Sequence, residues 1–239
     1  MPAEAAEATA VEVVDLAGTA LRELNRRLHE AAGNPDAPRR WRVLNPNGAH
    51  AVAAGLDADV EVDVEGHVGY YCAGMNKRAT VRVHGNGSTG LGENMMSGTV
   101  VIDGNASQSA GASAHGGLLV VHGDASARCG ISMKGVDIVV RGSAGHLSGF
   151  MAQTGRLVVC GDAGEALGDS IYEARIYVRG DVAGLGADCV EKELRAEHRA
   201  ELGELLARAG IEDVEPAEFG RYGSARRLYN FHVDNAAAY

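Results

Sequence analysis

Between residues 60 and 180 the chain repeats one pattern of apolar and polar positions: an aliphatic residue, an outward position, a second aliphatic residue, one more position, then glycine. The copies read VDVEG, VRVHG, VVIDG, LVVHG, IVVRG, LVVCG and IYVRG, and end at Gly66, Gly85, Gly104, Gly123, Gly142, Gly161 and Gly180, always 19 residues apart. Alternation with period two marks a strand that buries one face. Each copy therefore predicts a strand with an inward pair: Val62/Val64, Val81/Val83, Val100/Ile102, Leu119/Val121, Ile138/Val140, Leu157/Val159 and Ile176/Val178. A second glycine phase follows at Gly92, Gly111, Gly130, Gly149 and Gly168, with Gly74 and Gly186 one residue out of step, and a third at Gly98, Gly117, Gly135 and Gly155. Between these phases Met95, Ala114, Met133, Ala152, Ile171 and Val190 predict a short second strand facing the first, with Asn76 as its polar exception.

A 19-residue unit of short strands without a helix buries its apolar face only against copies of itself. The fold class is all-β: a right-handed parallel β-helix of about seven 19-residue rungs with short N- and C-terminal helices. Rungs ~4.8 Å apart make a rod of about 30 to 35 Å. Residues 57–190 form the repeat domain, 1–56 an N-terminal cap with a short helix, and 191–239 a C-terminal helix and extended tail. Thr19 is placed to cap the first helix, with Leu21, Leu24 and Leu28 on one stripe and Gly33 closing it. Residues 36–56 lead into the first rung. In EKELRAEHRAELGELLARAG, Leu194, Leu202, Leu205 and Leu206 share a side and Gly210 is the stop. These flanks are expected to cover the end rungs of the solenoid. The last segment, FGRYGSARRLYNFHVDN, shows neither period.

The repeat changes the reading of one tempting motif. VRVHGNGSTGLG places Gly85-x-Gly87-x-x-Gly90 after a β-branched run, and Asp103 stands 18 residues after Gly85, as in a dinucleotide-binding turn. Such a turn must open a helix that carries the pyrophosphate on its N-terminus. Only ENMMSG separates Gly92 from the next apolar run at Thr99, too little for a crossover helix. Gly85 is instead expected to be one of seven structural corner glycines, and no cofactor is expected in this chain.

Composition narrows the function classes. Thirty-three glycines at fixed phases exclude a disordered linker, and the formal net charge of -10 argues against nucleic acid or an anionic membrane as the partner. MPAEAAEATA is no signal peptide and no apolar run approaches a membrane span, so a cytoplasmic localisation is expected. Cys72 and Cys129 share a phase three rungs apart, about 14 Å, while Cys160 and Cys189 lie in other phases; four free packing thiols and no metal site are expected. The position before the corner glycine reads Glu65, His84, Asp103, His122, Arg141, Cys160 and Arg179, an outward ladder of compensating charge, with the two imidazoles about 10 Å apart. His115 and His146 fall in turns with no nucleophile spelled beside them, and Asp124, Asp162 and Asp181 follow corner glycines, where Asp bonds nearby amides. Polysaccharide cleavage by paired carboxylates, known on some β-helices, lacks the aromatic platform here. No catalytic residue is expected.

One outward stripe stands apart. Three residues before each corner glycine the rungs read Asp63, Arg82, Val101, Val120, Val139, Val158 and Tyr177. Five stacked apolar side chains make a patch of a few hundred Å², the scale of an interaction site. Val101, Val120, Val139, Val158 and Tyr177 are the candidate interface, to be covered by the chain's own tail or by a neighbouring chain.

The rungs also resemble a known family. The segments HVGYYCAGMNKR, GLGENMMSGTVVIDG, RCGISMKGVDIVVRG and GDSIYEARIYVRG, followed by RYGSARRLYNF, are similar to the GXGXG domain found at the C-terminus of the glutamate synthase large subunit and in one of the subunits of formylmethanofuran dehydrogenase. The stand-alone size most resembles the separate β-helix subunit of N-methylglutamate synthase (methylamine-glutamate N-methyltransferase) and of its glutamate-synthase-like relatives, over about residues 40 to 235. The resemblance implies a three-part enzyme: a glutamine amidotransferase-like subunit, an FMN-binding glutamate-synthase-like subunit with an iron-sulfur cluster, and this chain, with a homo-oligomer inside the complex admitted. Pro2 stands where the amidotransferase nucleophile would be Cys, and no cysteine group here suits a cluster, so those functions belong to the partners. The implied reaction is methylamine plus L-glutamate to N-methyl-L-glutamate and ammonia; an equivalent chain in a complex acting on another amine is the alternative.

Overall fold

The computed structural model describes residues 11–228. Its strands are β1 (Val11–Asp15), β2 (Arg40–Leu44), β3 (Glu61–Glu65), β4 (Thr80–Val83), β5 (Thr99–Ile102), β6 (Leu118–Val121), β7 (Lys134–Val140), β8 (Thr154–Val159), β9 (Arg175–Val178), β10 (Cys189–Lys192) and β11 (Gly220–Ser224); its helices are α1 (Leu21–Glu30) and α2 (Ala196–Arg208), with a 3-10 turn at Pro216–Glu218. All eleven strands form one sheet in the order β1-β2-β3-β4-β5-β6-β7-β8-β9-β11-β10. From β1 to β9 every pairing is parallel, so the molecule is a parallel β-helix. The repeat sets the register: Val81 pairs Val100, which pairs Leu119, then Ile138, Leu157 and Ile176. The fourteen inward aliphatics of the seven repeats are all 0–1% exposed.

The ladder starts two strands before the repeat. Residues 36–56, expected only as a lead-in, contain β2, whose Trp41 and Val43 face the core opposite Val62 and Val64. β1 pairs β2 in turn, and α1 is inserted between them. Leu24 and Leu28 of α1 are fully buried, as the stripe predicts, but the N-cap is Ala20 and not Thr19, whose N–H bonds the Asp15 carbonyl.

Opposite the ladder, the expected second strand is replaced by an arch. From Tyr71 to Ser170 each rung there places three alternate residues at positive φ, as in Arg128 (60°), Gly130 (69°) and Ser132 (52°). This alternation turns successive N–H groups toward opposite neighbours: Arg128 N–H donates to the His146 carbonyl above, Gly130 N–H to Ala110 below and Ser132 N–H to Phe150 above. Backbone polar groups are thus satisfied without strand geometry. A non-glycine residue at positive φ costs on the order of 1 kcal/mol or more, sustained here because both neighbouring rungs enforce it. At the middle position the first arches carry Ala53 and Ala73 and the later ones glycine, and at Gly111 no side chain fits, because a Cβ there would lie 2.5 Å from Ile138 Cδ1. Met95, Ala114, Met133, Ala152 and Ile171 do point inward at 0% exposure, whereas Val190 belongs to β10. Asn76, also buried, closes its own turn: its Nδ2 donates to the Ala79 carbonyl at 2.8 Å and its Oδ1 accepts the Ala79 N–H at 3.2 Å.

The C-terminal end is closed by strands. β11 inserts antiparallel between β9 and β10, so part of the segment that showed no period, Gly220–Ser224, is a central strand; residues after Leu228 lie outside the described residues. α2 does not sit on the rod's end. It lies along the outer face of the rungs, and terminates in a Schellman motif: Gly210 takes φ +71°, its N–H reaches the Ala207 carbonyl, and the Ile211 N–H reaches Leu206.

Candidate functional site

The corner glycines stack directly on one another. Gly104 N–H donates to the Gly85 carbonyl at 2.9 Å and Gly123 N–H to Gly104 at 3.0 Å, and the pattern continues to Gly180. Apart from Gly66, none of the seven has positive φ. Glycine is required by proximity: a Cβ on Gly85 would sit 2.6 Å from the Gly66 carbonyl carbon, and one on Gly123 2.1 Å from Asn105 Oδ1 and 2.8 Å from the Gly104 carbonyl oxygen. The residue after each glycine adds a polar ladder that the sequence reading missed. Asn86 Oδ1 accepts the Asn105 N–H at 2.8 Å, Asn105 Oδ1 that of Asp124 at 2.8 Å, Asp124 Oδ1 that of Ser143 at 2.8 Å, Ser143 Oγ that of Asp162 at 3.0 Å, and Asp162 Oδ1 that of Asp181 at 2.8 Å. The turn residues were visible, but their partners lie one rung away and not in their own turn. Gly85, Gly87 and Gly90 are each crowded by protein neighbours, and no helix follows them before β5. Gly85→Val should therefore lower stability by about 3 kcal/mol or more, because backbone cannot yield; calorimetric titration of the wild type with NAD or FMN should give no micromolar binding. Tight binding of either, lost on Gly87→Val, would reinstate the nucleotide site.

The charge ladder is compensated within the sheet at its first rungs, whereas Arg141 and Arg179 find their acids in the C-terminal segment. His84 Nδ1 lies 2.7 Å from Asp103 Oδ2 and its Nε2 3.1 Å from Asp63 Oδ1. Partial burial alone would lower its pKa; the hydrogen bonds to Asp103 and Asp63 outweigh it and hold the imidazole above its ordinary value. His115 and His146 are exposed. Among the described residues no group of three or more His, Cys, Asp or Glu is disposed to hold a metal, and no helix is long and apolar enough to cross a membrane. All four cysteines are free and buried. Desolvation pushes the Cys72 and Cys129 thiols up to about 12, and those of Cys160 and Cys189 to about 11. Since the thiolate is the reactive form, a disulfide reagent at pH 8 should leave the folded chain untouched and titrate four thiols after denaturation; rapid labelling of the native protein would contradict this packing.

The apolar stripe is covered by the chain itself. Val101 is 8% exposed, Val120 1%, and Val139, Val158 and Tyr177 0%. They form a second apolar core with Leu202, Leu205 and Leu206 of α2 and with Ala209, Ile211, Val214 and Phe219 beyond it. The candidate interface is thus an internal seat, and the cover is α2 and the segment to Phe219, the first residue of the tail, where the tail or a neighbouring chain is expected from the sequence. Polar contacts frame the seat. Asp137, 6% exposed, takes both ends of the Arg156 guanidinium at 2.6 and 2.7 Å and Arg208 of α2 at 3.2 Å. Glu201 of α2 accepts the Tyr177 hydroxyl at 2.8 Å and pairs with Arg175. Arg141 holds Asp213 at 2.7 Å and Arg179 holds Glu218 at 2.8 Å.

The sequence matches a curated protein along almost its whole length. Protein GlxC of Rhizobium meliloti (strain 1021) is 62% identical over 228 residues, covering 95% of this chain and 99% of that protein. The chain belongs to the GlxC family. The aligned share is larger than the repeats alone occupy, so the likeness to GlxC reaches beyond the rungs. No protein-family model matches the chain, and neither does any solved structure.

Proposed function

We propose that this GlxC-family chain is the non-catalytic β-helix subunit of a glutamate-synthase-like complex, and specifically of an N-methylglutamate synthase that converts methylamine and L-glutamate to N-methyl-L-glutamate and ammonia. The observation that carries the reading is the set of rung sequences, GLGENMMSGTVVIDG and RCGISMKGVDIVVRG among them, that resemble the β-helix subunit of that enzyme and supply the arches and corners of this solenoid. Supporting it, several groups that could do chemistry are spent on architecture: the thiols pack in the cores, Asp137 is tied to two arginines, and turn carboxylates bond the next rung. The partners are a glutamine amidotransferase-like subunit and an FMN-binding subunit with an iron-sulfur cluster, in the cytoplasm, and this chain gives them a rigid docking body. Affinity purification of the tagged full chain from its own cells should bring down two larger proteins and flavin absorbance. Omitting this chain from the reconstituted set should abolish methylamine-dependent N-methylglutamate formation. A chain that elutes alone, or a full rate without it, would overturn the proposal; assembly with activity on another amine would leave only its coarser half.

A further inference from the structure

At the C-terminal end of the rod, a cavity of about 410 Å³ is lined by Arg175, Lys192, Arg195, Arg221 and Arg226 with one acid, Glu173. We infer that this cavity binds a small dianion, a phosphate or a dicarboxylate, held between Lys192 and Arg221.

The local structure creates the site. Antiparallel pairing sets Lys192 of β10 directly opposite Arg221 of β11, and Arg221 opposite Tyr177 of β9. Residues so paired share a face with Cβ atoms about 4.5–5.5 Å apart, where like charges repel. Two positions along β11 the same face carries Gly223, and a Cβ built there would meet nothing closer than the Ala174 carbonyl oxygen at 3.8 Å. The pleat thus groups cations around a floor with no side chain.

Most of the charge is already compensated, and the remainder is specific. Arg175 pairs with Glu201, Arg195 with Glu193 at 3.0 Å and Arg226 with Glu173 at 3.0 Å. Among the described residues the Arg221 side chain spends only its Nε, on the Glu193 backbone carbonyl at 2.9 Å, and the Lys192 side chain makes no ion pair or hydrogen bond. Both side chains are half-buried, so water screens their repulsion less than at an open surface. Nearby His198 reports the field: burial, then the charges of Arg221 and Arg175, hold its pKa below the ordinary value against the opposing Glu197. This concentration of positive charge stands on a chain of formal net charge -10. A guanidinium fork and an ammonium point charge facing one open floor suit two anionic groups or one doubly charged phosphate, and the volume is that of a small ligand.

The test needs only the isolated full chain and so is independent of the complex proposed above. Inorganic phosphate and succinate are titrated separately at low ionic strength, against chloride of equal ionic strength, into the wild type, Lys192→Gln/Arg221→Gln and the control Lys134→Gln. Saturable one-to-one binding of either anion, weakened at least tenfold in the double variant and unchanged in the control, is the expected result, and which anion binds identifies the phosphate or carboxylate source. Saturation should also raise the His198 pKa followed by NMR, and without anion the double variant should stay folded, the lost Lys192–Arg221 repulsion offsetting the lost Arg221 Nε bond to the Glu193 carbonyl. Equal binding by wild type and double variant, or none beyond chloride, would overturn the inference. So would binding of an acidic peptide with neither small anion, which would make the patch a protein contact.

Discussion

Val139→Asp, alone and with Val120→Asp, should lift α2 from the rod and leave the rungs folded. Val120, Val139 and Val158 are at most 1% exposed beneath Leu202, Leu205 and Leu206. Burying each such side chain is worth about 1.5–3 kcal/mol. The ion pairs that frame the seat are mostly exposed, as at Arg141–Asp213 and Arg179–Glu218, and pairs of that kind contribute about 0–1 kcal/mol each. Packing therefore holds the helix and the charges orient it. A carboxylate in the seat would be desolvated beside the Asp137 carboxylate, which already occupies Arg156 and Arg208, at a cost on the order of 4 kcal/mol or more. A released α2 of 13 residues is too short to stay helical in water. Circular dichroism should lose helix and keep strand, and protease should cut within residues 196–214 while rung amides stay protected from hydrogen exchange. A double variant with α2 still protected would show that the polar frame, and not the apolar seat, carries the contact.

The ladder was legible because every rung solves the same burial problem, so seven copies reinforce one signal. β2 carries the same alternation in RWRVL, but it stands outside the 19-residue period, and a search keyed to the period passes over it. β11 gave no signal at all: GRYGS has two glycines and no β-branched residue, and it becomes a strand because β9 and β10 offer it unpaired edges on both sides. The stripe was legible as five outward apolar residues, and the leucines of α2 as a buried face, yet neither pattern names its counterpart. Amphipathicity says that a face is covered and not by what, so joining Val139 to Leu205 took the three-dimensional path of the chain. The arch hid for a different reason. Its positive-φ residues include Arg128, Ser132, Leu147 and Met151, and only the bonds to rungs above and below impose that conformation on them. The cationic cavity likewise depends on β11 lying between β9 and β10, since Lys192 and Arg221 are far apart in sequence and meet only through that pairing.

A rung can be cut out if the cut respects both periods. Removing residues 82–100 joins Val81 to Val101, and the merged strand reads Thr80, Val81, Val101, Ile102: Val81 and Ile102 still face inward and Val101 keeps its place on the stripe, so the five residues beneath α2 are all retained. Removing 82–99 leaves one residue more, and Val81, Val100, Val101 and Ile102 then cannot all keep their faces, because side chains alternate. The rod does absorb an extra residue within a strand between Lys134 and Asp137, where the register shifts and Gly135 adopts φ +139°. That escape depends on glycine, which alone enters such a conformation without strain; the altered strand has Val100 at the break. The 19-residue excision should therefore remain soluble and melt cooperatively, a few degrees below the full chain, with α2 still protected from hydrogen exchange. The 18-residue excision should expose apolar surface, bind a hydrophobic dye and aggregate. Indistinguishable melting of the two would mean that corners absorb register errors freely, and that the 19-residue spacing reflects corner packing alone and not the inward and outward phase of the strands.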